Sequence, residues 1–287
     1  MNMQKSEITR ALVLGGGGVT GMAWEIGVLC GLVEAGMNPQ MANAIIGTSA
    51  GAFVGAAVAS GYDMRRYYRQ QLQINAAEPA VHMSRELYEE WIEAFRRGGS
   101  NRDKVGAEFG AIALRHPEPV SASLRRSVVD ARLVTQTWPS TLQVTAIHAA
   151  TGALHLLDEF SGLSLSDAVS ASGAVPGIWP PVALNGEIWI DGGMVSAANA
   201  RMAQSYNRVV ILAPMPHGYG AIPGAAEDAA ALQADGAQAV LVTPNPESVN
   251  AIGANPYDPE RAAAAAMAGR EQSRQIASLI LEMWQLV

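Results

Sequence analysis

Ser49 lies at the centre of the pattern Gly47-Thr48-Ser49-Ala50-Gly51, between a short apolar run and a stretch of small and apolar residues. The pattern Gly-x-Ser-x-Gly is typical of a sharp turn between a strand and a helix, where the serine hydroxyl is exposed and can act as a nucleophile. The N-terminus of a helix also favours negative charge that develops on this hydroxyl. The same pattern arises where glycines serve packing alone, so by itself it leaves catalysis open.

A second glycine-rich segment, Gly15-Gly16-Gly17-Gly18-Val19-Thr20-Gly21, follows an apolar run and opens a helical pattern. Its backbone N–H groups can converge on an anion, which in an acyl hydrolase would be the tetrahedral oxyanion. The alternative is a dinucleotide-binding fingerprint formed by Gly16, Gly18 and Gly21, which requires an acidic residue at the end of the next strand. That strand ends Ile45-Ile46-Gly47 without an acid. No Gly-Lys-Ser/Thr follows either, which excludes a P-loop.

A serine nucleophile needs a base, and the sequence offers histidines and one well-placed aspartate. None of the histidines stands in a catalytic motif: His82, His116, His148, His155 and His217. Asp191 ends an apolar run and is followed by two glycines, which would let the carboxylate approach another backbone closely. A carboxylate with the usual pKa of about 3.9 is a poor base in water, so a serine–aspartate dyad requires a partly dehydrated site.

Four blocks occur in one order along residues 10 to 215: the glycine loop, Gly-x-Ser-x-Gly, the segment 171–182 with Ala171-Ser172-Gly173 and Pro180-Pro181-Val182, and Asp191-Gly192-Gly193. In this order they resemble the patatin-like phospholipase family. The resemblance implies that Ser49 is the nucleophile and Asp191 its dyad partner. It also implies that Gly16, Gly17 and Gly18 supply the oxyanion donors, and that the partner is a lipid or another acyl ester. Neither a metal nor a cofactor is required.

The glycine loop departs from the family at Thr20, where an arginine commonly precedes the last glycine. The departure removes one positive charge that the family usually carries in this loop. It motivates a second hypothesis, a lipid-binding protein that keeps the fold without turnover. The presence of both dyad residues favours the hydrolase.

The elements that must position these residues alternate between strands and helices. Apolar runs predict strands at 10–14, 44–46, 187–190, 208–212 and 238–242, and a hairpin of 142–147 with 153–157. Helical spacing follows at 22–35 and beyond Ser49, and Asp258-Pro259-Glu260 predicts the start of a long C-terminal helix. These elements predict an α/β fold, with a mainly parallel central sheet between helices in a single three-layer domain over residues 8–287.

Residues 63–132 form a polar stretch with Leu87, Trp91 and Phe95 at helical spacing, which predicts a helical insertion within the domain. This stretch holds 12 Lys and Arg against 10 Asp and Glu, a net charge of +2, and leaves −9 for the rest of the chain. A basic face can bind anionic headgroups. The insertion is therefore a candidate lid or membrane-facing element, with an ordinary solvated helical surface as the alternative.

The composition bounds the remaining possibilities. With 49% hydrophobic and 16% charged residues the chain is predicted to be globular. Its single cysteine, Cys30, allows no intrachain disulfide and favours a reducing compartment, and the apolar run 11–14 is too short for a signal peptide. The uncharged stretch 35–62 is interrupted by glycine and polar residues, unlike a membrane span. We therefore expect a cytoplasmic protein, with peripheral membrane contact left open, and the acidic net charge of −7 argues against nucleic-acid binding.

Overall fold

The computed structural model describes residues 8–73, 81–117 and 120–285. Its centre is an eight-stranded sheet whose strands consist mostly of buried aliphatic residues. The strands are β1 (Arg10–Leu14), β2 (Ala44–Thr48), β3 (Leu142–His148), β4 (Leu154–Leu157), β5 (Val182–Leu184), β6 (Glu187–Asp191), β7 (Arg208–Leu212) and β8 (Gln238–Val242).

Helices connect the strands and cover both faces of the sheet. They are α1 (Gly18–Glu34), α2 (Ala50–Ala59), α3 (Met64–Gln71), α4 (Arg85–Gly98), α5 (Arg102–Arg115), α6 (Ala122–Arg132), α7 (Leu165–Ser172), α8 (Ala225–Ala234), α9 (Pro246–Ile252) and α10 (Ala262–Gln285).

The strand order is β5-β6-β3-β2-β1-β7-β8, with β4 also paired to β3. Strands β3, β2, β1, β7 and β8 run parallel, whereas β4, β5 and β6 add antiparallel pairs at one side. Strands β1 and β2 are buried at every position, which matches the apolar runs 11–14 and 44–46 that they contain. The fold class expected from the sequence, α/β with a mainly parallel sheet between helices, is confirmed.

The core has three parts that follow from this layering. On one face of the sheet, Leu12 and Leu14 pack with the apolar sides of α1, α2 and α10. On the opposite face, Ala11 and Val13 pack against α8. A third cluster joins α4 and α5 of the insertion to the end of β3. The insertion therefore contributes its own apolar layer over one edge of the sheet.

The insertion contains four helices, α3 to α6, and each begins at a polar residue that caps it. Asp63, Ser84, Asn101 and Ser121 each accept hydrogen bonds from backbone N–H groups in the first turn of the helix that follows. The break predicted at Gly98-Gly99 is present, since α4 ends at Gly98 and Gly99 has φ 60°. The helical character of this stretch is confirmed, and its description as an insertion within one domain stays a prediction.

The helix boundaries differ from the sequence expectation in two places. Helix α1 begins at Gly18 and not at Met22, because the glycine loop itself forms the first turn and the Gly21 N–H donates to the Gly17 carbonyl at 2.9 Å. The C-terminal helix opens with a 3₁₀ turn over Pro259–Arg261, capped by Asp258. Among the described residues, no helix has the length and apolar character needed to cross a membrane.

The first strand and the last helix are tied together directly. Helix α10 packs along α1, and Gly27 and Gly269 allow the two backbones to approach closely, since a Cβ at either would collide with a carbonyl of the facing helix. At the end of α10, the Arg10 Nε donates to the Trp284 carbonyl at 2.7 Å. The start of β1 and the end of α10 are therefore neighbours in space, although they lie at opposite ends of the described chain.

Candidate active site

Ser49 occupies a strained turn between β2 and α2. Its backbone has φ 53° and ψ −116°, a combination that non-glycine residues rarely adopt and that costs roughly 1–3 kcal/mol. The turn is packed tightly, because a Cβ at Gly51 would collide with the Leu14 carbonyl. The Ser49 N–H donates to the Ser172 hydroxyl at 2.8 Å, which anchors the turn to the end of α7. This is the strand–turn–helix geometry predicted from Gly-x-Ser-x-Gly.

Strand β3 brings Ser49 and Asp191 together by pairing with both β2 and β6. Thr48, the last residue of β2, is paired with Thr145, and the next residue of β3, Ala146, is paired with Asp191. The residue that follows Thr48 is Ser49. The two predicted dyad residues therefore meet at one end of the sheet and line the same cavity.

Asp191 is held in an environment that changes its proton affinity. Its side chain is 1% exposed, and this burial raises the pKa of the carboxyl to about 6. Hydrogen bonding to the Ser49 side chain and from the Gly193 N–H, together with the positive charge of Arg125, opposes the increase. The Gly193 N–H donates to Asp191 Oδ1 at 2.6 Å. Asp191 is thus a carboxylate whose pKa lies close to neutral pH, as a general base requires.

Asn199 joins the serine turn to the aspartate turn. It is 1% exposed and has φ 51°, and its amide group donates to the Thr48 hydroxyl at 3.1 Å and to the Gly192 carbonyl at 2.9 Å. Thr48 and Thr145 share a further hydrogen bond of 2.8 Å across β2 and β3. These buried contacts hold the backbone on either side of the Ser49 and Asp191 side chains.

The glycine loop lies against Ser49 with two N–H groups available. The Gly16 N–H donates to the Ala197 carbonyl at 2.7 Å, so it is already engaged within the protein. Within the described chain, the N–H groups of Gly17 and Gly18 donate to no acceptor, as expected for the start of a helix. Gly18 has φ 61° and its α-carbon abuts the Pro256 carbonyl, which leaves no space for a side chain. Of the three predicted oxyanion donors, Gly17 and Gly18 have the required free groups, and Gly16 has not.

Thr20 faces away from the dyad. It is fully buried, and both its N–H and its hydroxyl are directed at the Pro256 carbonyl, at 3.2 and 3.4 Å. Thr20 therefore connects the glycine loop by hydrogen bonds to the segment that leads to α10. The replacement of the family's arginine by threonine leaves the dyad and the available N–H groups intact.

Aromatic residues of the insertion cover the dyad. The cavity that contains Ser49 and Asp191 has a volume of about 50 Å³ and is closed by Trp91 and Phe95 of α4. Phe95 stacks on Tyr219 with ring centroids 4.9 Å apart, and the Trp91 Nε1 donates to the Pro176 carbonyl at 3.2 Å. Two of the three apolar residues noted at helical spacing thus line the dyad cavity. The third, Leu87, is 7% exposed and packs in the core.

Two further cavities adjoin the dyad cavity, one larger and one smaller. An apolar cavity of about 420 Å³ shares Gly17, Met215 and Tyr219 with the dyad cavity and extends towards Ile252 on α9. On the side of α6, Ser49 also borders a cavity of about 20 Å³ together with Arg125. The site therefore has an apolar side and a basic side.

The histidines lie elsewhere. His148 contacts Glu187 at 2.7 Å, and His116 contacts Glu90 at 2.9 Å, both near the surface. All five histidines are among the described residues, and none lines either cavity that contains Ser49. Within the described structure, Asp191 is the titratable group next to Ser49 that can serve as a base.

A family model described as Patatin-like phospholipase matches residues 12–203, about two thirds of the chain. The match includes the glycine loop, the Ser49 turn and Asp191. The chain belongs to the patatin-like phospholipase family. The resemblance inferred from four short blocks is thereby confirmed, and the family supports lipid ester hydrolysis as the general chemistry of the fold.

The solved structures to which this chain is similar are distant in sequence. VipD from Legionella pneumophila is 13% identical with a TM-score of 0.47, and the match covers 95% of this chain and 67% of VipD. The type III effector ExoU is 15% identical with a TM-score of 0.44, and ExoU in complex with SpcU from the type III secretion system of Pseudomonas aeruginosa is 14% identical with a TM-score of 0.43. These matches cover 95% and 97% of this chain, which spans about half of the ExoU chain, 53% in both cases. A comparison with curated proteins gave no match.

Three residues of the site carried no recognised role in the sequence. Asn199 and Arg125 lie far from the motifs in the chain and reach the site only through the tertiary fold. Ser172 lies inside the quoted segment Ala171-Ser172-Gly173, so its position could have been suspected from that block. A local sequence pattern therefore predicts the candidate reacting groups. The residues that hold these groups in place can be identified only from the structure.

Proposed function

We propose that this protein is a lipid acyl hydrolase that cleaves fatty-acyl esters through a Ser49–Asp191 dyad and an acyl-enzyme. The observation that carries the proposal is the meeting of a serine in a left-handed turn with a buried carboxylate whose pKa is raised to about 6. Membership of the patatin-like phospholipase family supports the choice of a lipid ester as substrate.

In the proposed reaction, Asp191 accepts the proton of the Ser49 hydroxyl as the oxygen attacks the ester carbonyl. The N–H groups of Gly17 and Gly18 donate to the oxyanion that forms, and loss of one such donor typically slows catalysis by roughly 10²- to 10³-fold. The protonated Asp191 then returns the proton to the leaving alcohol as the C–O bond breaks. A water molecule, deprotonated by the same carboxylate, attacks the acyl-enzyme; as the bond from Ser49 Oγ to the acyl carbon breaks, Asp191 returns the proton to Ser49 Oγ and the fatty acid is released.

The apolar cavity next to the glycine loop is suited to the acyl chain. Its volume of about 420 Å³ lies in the range of small-molecule sites, and apolar side chains such as Met215, Val249 and Ile252 contribute to its lining. Because it shares Gly17 with the dyad cavity, a chain bound there would place its carbonyl near the free N–H groups. Ile252→Trp would shorten this cavity and is expected to shift the preference towards shorter acyl chains.

Peripheral contact with a membrane is proposed through the outer face of α4. Tyr88 and Ile92, one turn apart on this helix, are 56% and 51% exposed. The face that Trp91 and Phe95 occupy is turned to the site, so these exposed residues are the better candidates for lipid contact. Co-sedimentation with phospholipid vesicles should weaken in Tyr88→Ser/Ile92→Ser, and unchanged binding would refute this contact.

The hydrolase proposal is tested by comparing wild type with Ser49→Ala and Asp191→Asn on nitrophenyl esters and on phospholipids. Both variants should lose at least about 10³-fold in kcat/KM while remaining folded. Ser60→Ala and Asp235→Asn, which change exposed residues remote from the dyad, serve as matched controls. A fluorophosphonate that labels wild type and not Ser49→Ala would separate a hydrolase from a lipid-binding protein without turnover. Full activity in Asp191→Asn would rule out the dyad.

A further inference from the structure

Arg125 is buried at the basic side of the site, although it belongs to the insertion. It lies on α6, is 5% exposed, and borders the cavity that contains Ser49. Its Nη2 donates to the Gly173 carbonyl at 3.2 Å, and its guanidinium stacks over the Trp179 ring, 4.4 Å from the ring centroid. These two contacts fix the plane of the guanidinium next to the nucleophile.

Two of its nitrogen atoms have no acceptor. Nε and Nη1 are buried and donate no hydrogen bond to any residue that the structure describes. Buried guanidinium groups in proteins are normally paired, since desolvating a charge without a partner is costly. Burial lowers the pKa of Arg125 to about 10, so the group remains positively charged at neutral pH. Arg125 therefore presents an unused pair of donors at a site that the proposed function assigns to an ester substrate.

We propose that Arg125 determines specificity by binding an anionic phosphate oxygen of a phospholipid or lysophospholipid beside the scissile ester. The inference rests on the proposed acyl hydrolase function and names its substrate class. Arginine is suited to this role because it stays charged and each free nitrogen can donate a charge-assisted hydrogen bond to a phosphate oxygen.

The cavities on this side match the size of such a substrate. The space shared by Ser49 and Arg125 is about 20 Å³, which admits one water-sized group such as a single phosphate oxygen. Beyond it lies a cavity of about 540 Å³, which shares Val19 and Arg132 with the first and is also lined by Arg66 and Gln70. This larger space can take the remainder of a polar headgroup, and it shares no lining residue with the apolar cavity.

The kinetic test compares lysophosphatidylcholine with a monoacylglycerol of the same acyl chain, both below their critical micelle concentrations. In Arg125→Gln, the ratio of kcat/KM for the phosphate-bearing substrate to that for the neutral one should fall about 10- to 100-fold, the effect of losing charge-assisted hydrogen bonds. Arg125→Lys should recover part of the ratio, since it keeps the charge and loses the planar guanidinium donors. Arg126→Gln, on the exposed side of the same helix, should keep the wild-type ratio.

A binding measurement separates this inference from the hydrolase proposal. In the Ser49→Ala background, calorimetry with an alkyl-ether lysophospholipid should show about 10- to 100-fold weaker binding when Arg125→Gln is added, whereas binding of the matching alkylglycerol should change far less. An equal change for both ligands would show that Arg125 only supports the structure, and would overturn the inference even if wild type hydrolyses both esters. Phosphate-dependent binding with no hydrolysis would instead refute the catalytic proposal and leave Arg125 as a phosphate-binding residue.

Discussion

Asp191 and Glu25 are both buried carboxyl groups, and they differ in what surrounds them. Asp191 accepts a hydrogen bond from Gly193 and lies beside a positive charge, which limits the rise of its pKa to about 6. Glu25 is fully buried within α1, and neither of its oxygens has a hydrogen-bond partner of good geometry among the described residues. Burial raises the pKa of Glu25 well above its usual range, and the Gly15 backbone opposes this only in part. The first group is suited to proton transfer, and the second is expected to stay protonated in the fold.

The pH dependence of hydrolysis should report the Asp191 carboxyl. A base must be ionised to accept the serine proton, so kcat/KM should be constant above neutral pH and fall as the pH drops through about 6. Initial rates on a soluble nitrophenyl ester between pH 4.5 and 9 would check this. An acidic limb with an apparent pKa near 4 would contradict a dehydrated aspartate at the site.

Glu25→Gln should stabilise the protein in a pH-dependent way. Because the folded-state pKa of Glu25 is raised, the folded protein holds a proton that the unfolded chain releases above about pH 4.5, so wild-type stability declines as the pH rises above that value. Glutamine removes this dependence, so the unfolding free energy of the variant relative to wild type should increase as the pH rises from 4 to 8. Urea denaturation at several pH values would measure it. If the difference in unfolding free energy between the variant and wild type does not change with pH, Glu25 ionises equally in the folded and unfolded states.

Helix α4 is a candidate for the element that controls access to Ser49. The dyad cavity of about 50 Å³ is too small for an acyl chain, and Trp91 and Phe95, which stacks on Tyr219, contribute to its lining. We expect an acyl substrate to shift these aromatic side chains as it binds. This geometry supports a cover over the site as the role of the insertion.

Phe95→Leu should ease this opening. The substitution removes the aromatic stack, worth about 0.5–1.5 kcal/mol, and keeps an apolar residue at the position. We expect bulky fluorophosphonates to label Ser49 several-fold faster in the variant than in wild type, with a smaller change for a short-chain probe. Leu124→Ala, at an exposed position of α6, is the control. If both probes respond equally to Phe95→Leu, α4 does not limit access.

The pairing of α1 with α10 depends on residues without side chains. A Cβ at Gly27 would collide with the Ala266 carbonyl, so Gly27→Ala should separate the helices and lower the unfolding free energy by roughly 1–3 kcal/mol. Gly55→Ala, also inside a helix, would meet only side-chain methyl groups, the nearest being Leu142 Cδ1 at 2.9 Å and Ile45 Cγ2 at 3.3 Å, and should cost less than a collision with a backbone carbonyl. Thermal and urea unfolding of the two variants gives the comparison. Equal decreases in unfolding free energy for the two variants would show that the close approach of α1 and α10 is not important for stability.

The parts of the fold that were predictable are those with a strong local pattern. Strands β1, β2, β7 and β8 are short apolar runs, and the hairpin of β3 and β4 surrounds a glycine turn. The sequence did not predict four short elements: helices α7, α8 and α9 and strand β5. They have weak local patterns, and α8 is dominated by alanine, so packing decides their positions.

In the site, Ser49 and Asp191 stand next to diagnostic glycines. Arg125 has no such neighbours, and only the packing of α6 on α7 places it at the site.

On the scale of the whole molecule, the uneven charge seen in the sequence is largely balanced within the insertion. Arg96 and Arg97 both pair with Glu93, at 2.6 and 2.7 Å, and Arg115 pairs with Glu90 at 2.6 Å. Exposed pairs of this kind contribute little to stability. They do reduce the free positive charge on α4 and α5, so the membrane contact proposed for α4 depends on the apolar surface of Tyr88 and Ile92 and not on a basic face.

The hydrogen bond between Arg10 and the Trp284 carbonyl means that the order of the elements in the chain can be altered while their positions in space are kept. A circular permutant that joins residues near 10 and 285 with a flexible linker and opens the chain at the exposed Asp235-Gly236 turn should fold with the same sheet. Circular dichroism and fluorophosphonate labelling of the permutant would check this expectation. Success would mean that the catalytic unit is specified by its contacts, and that it could be inserted as a block into the loop of another protein.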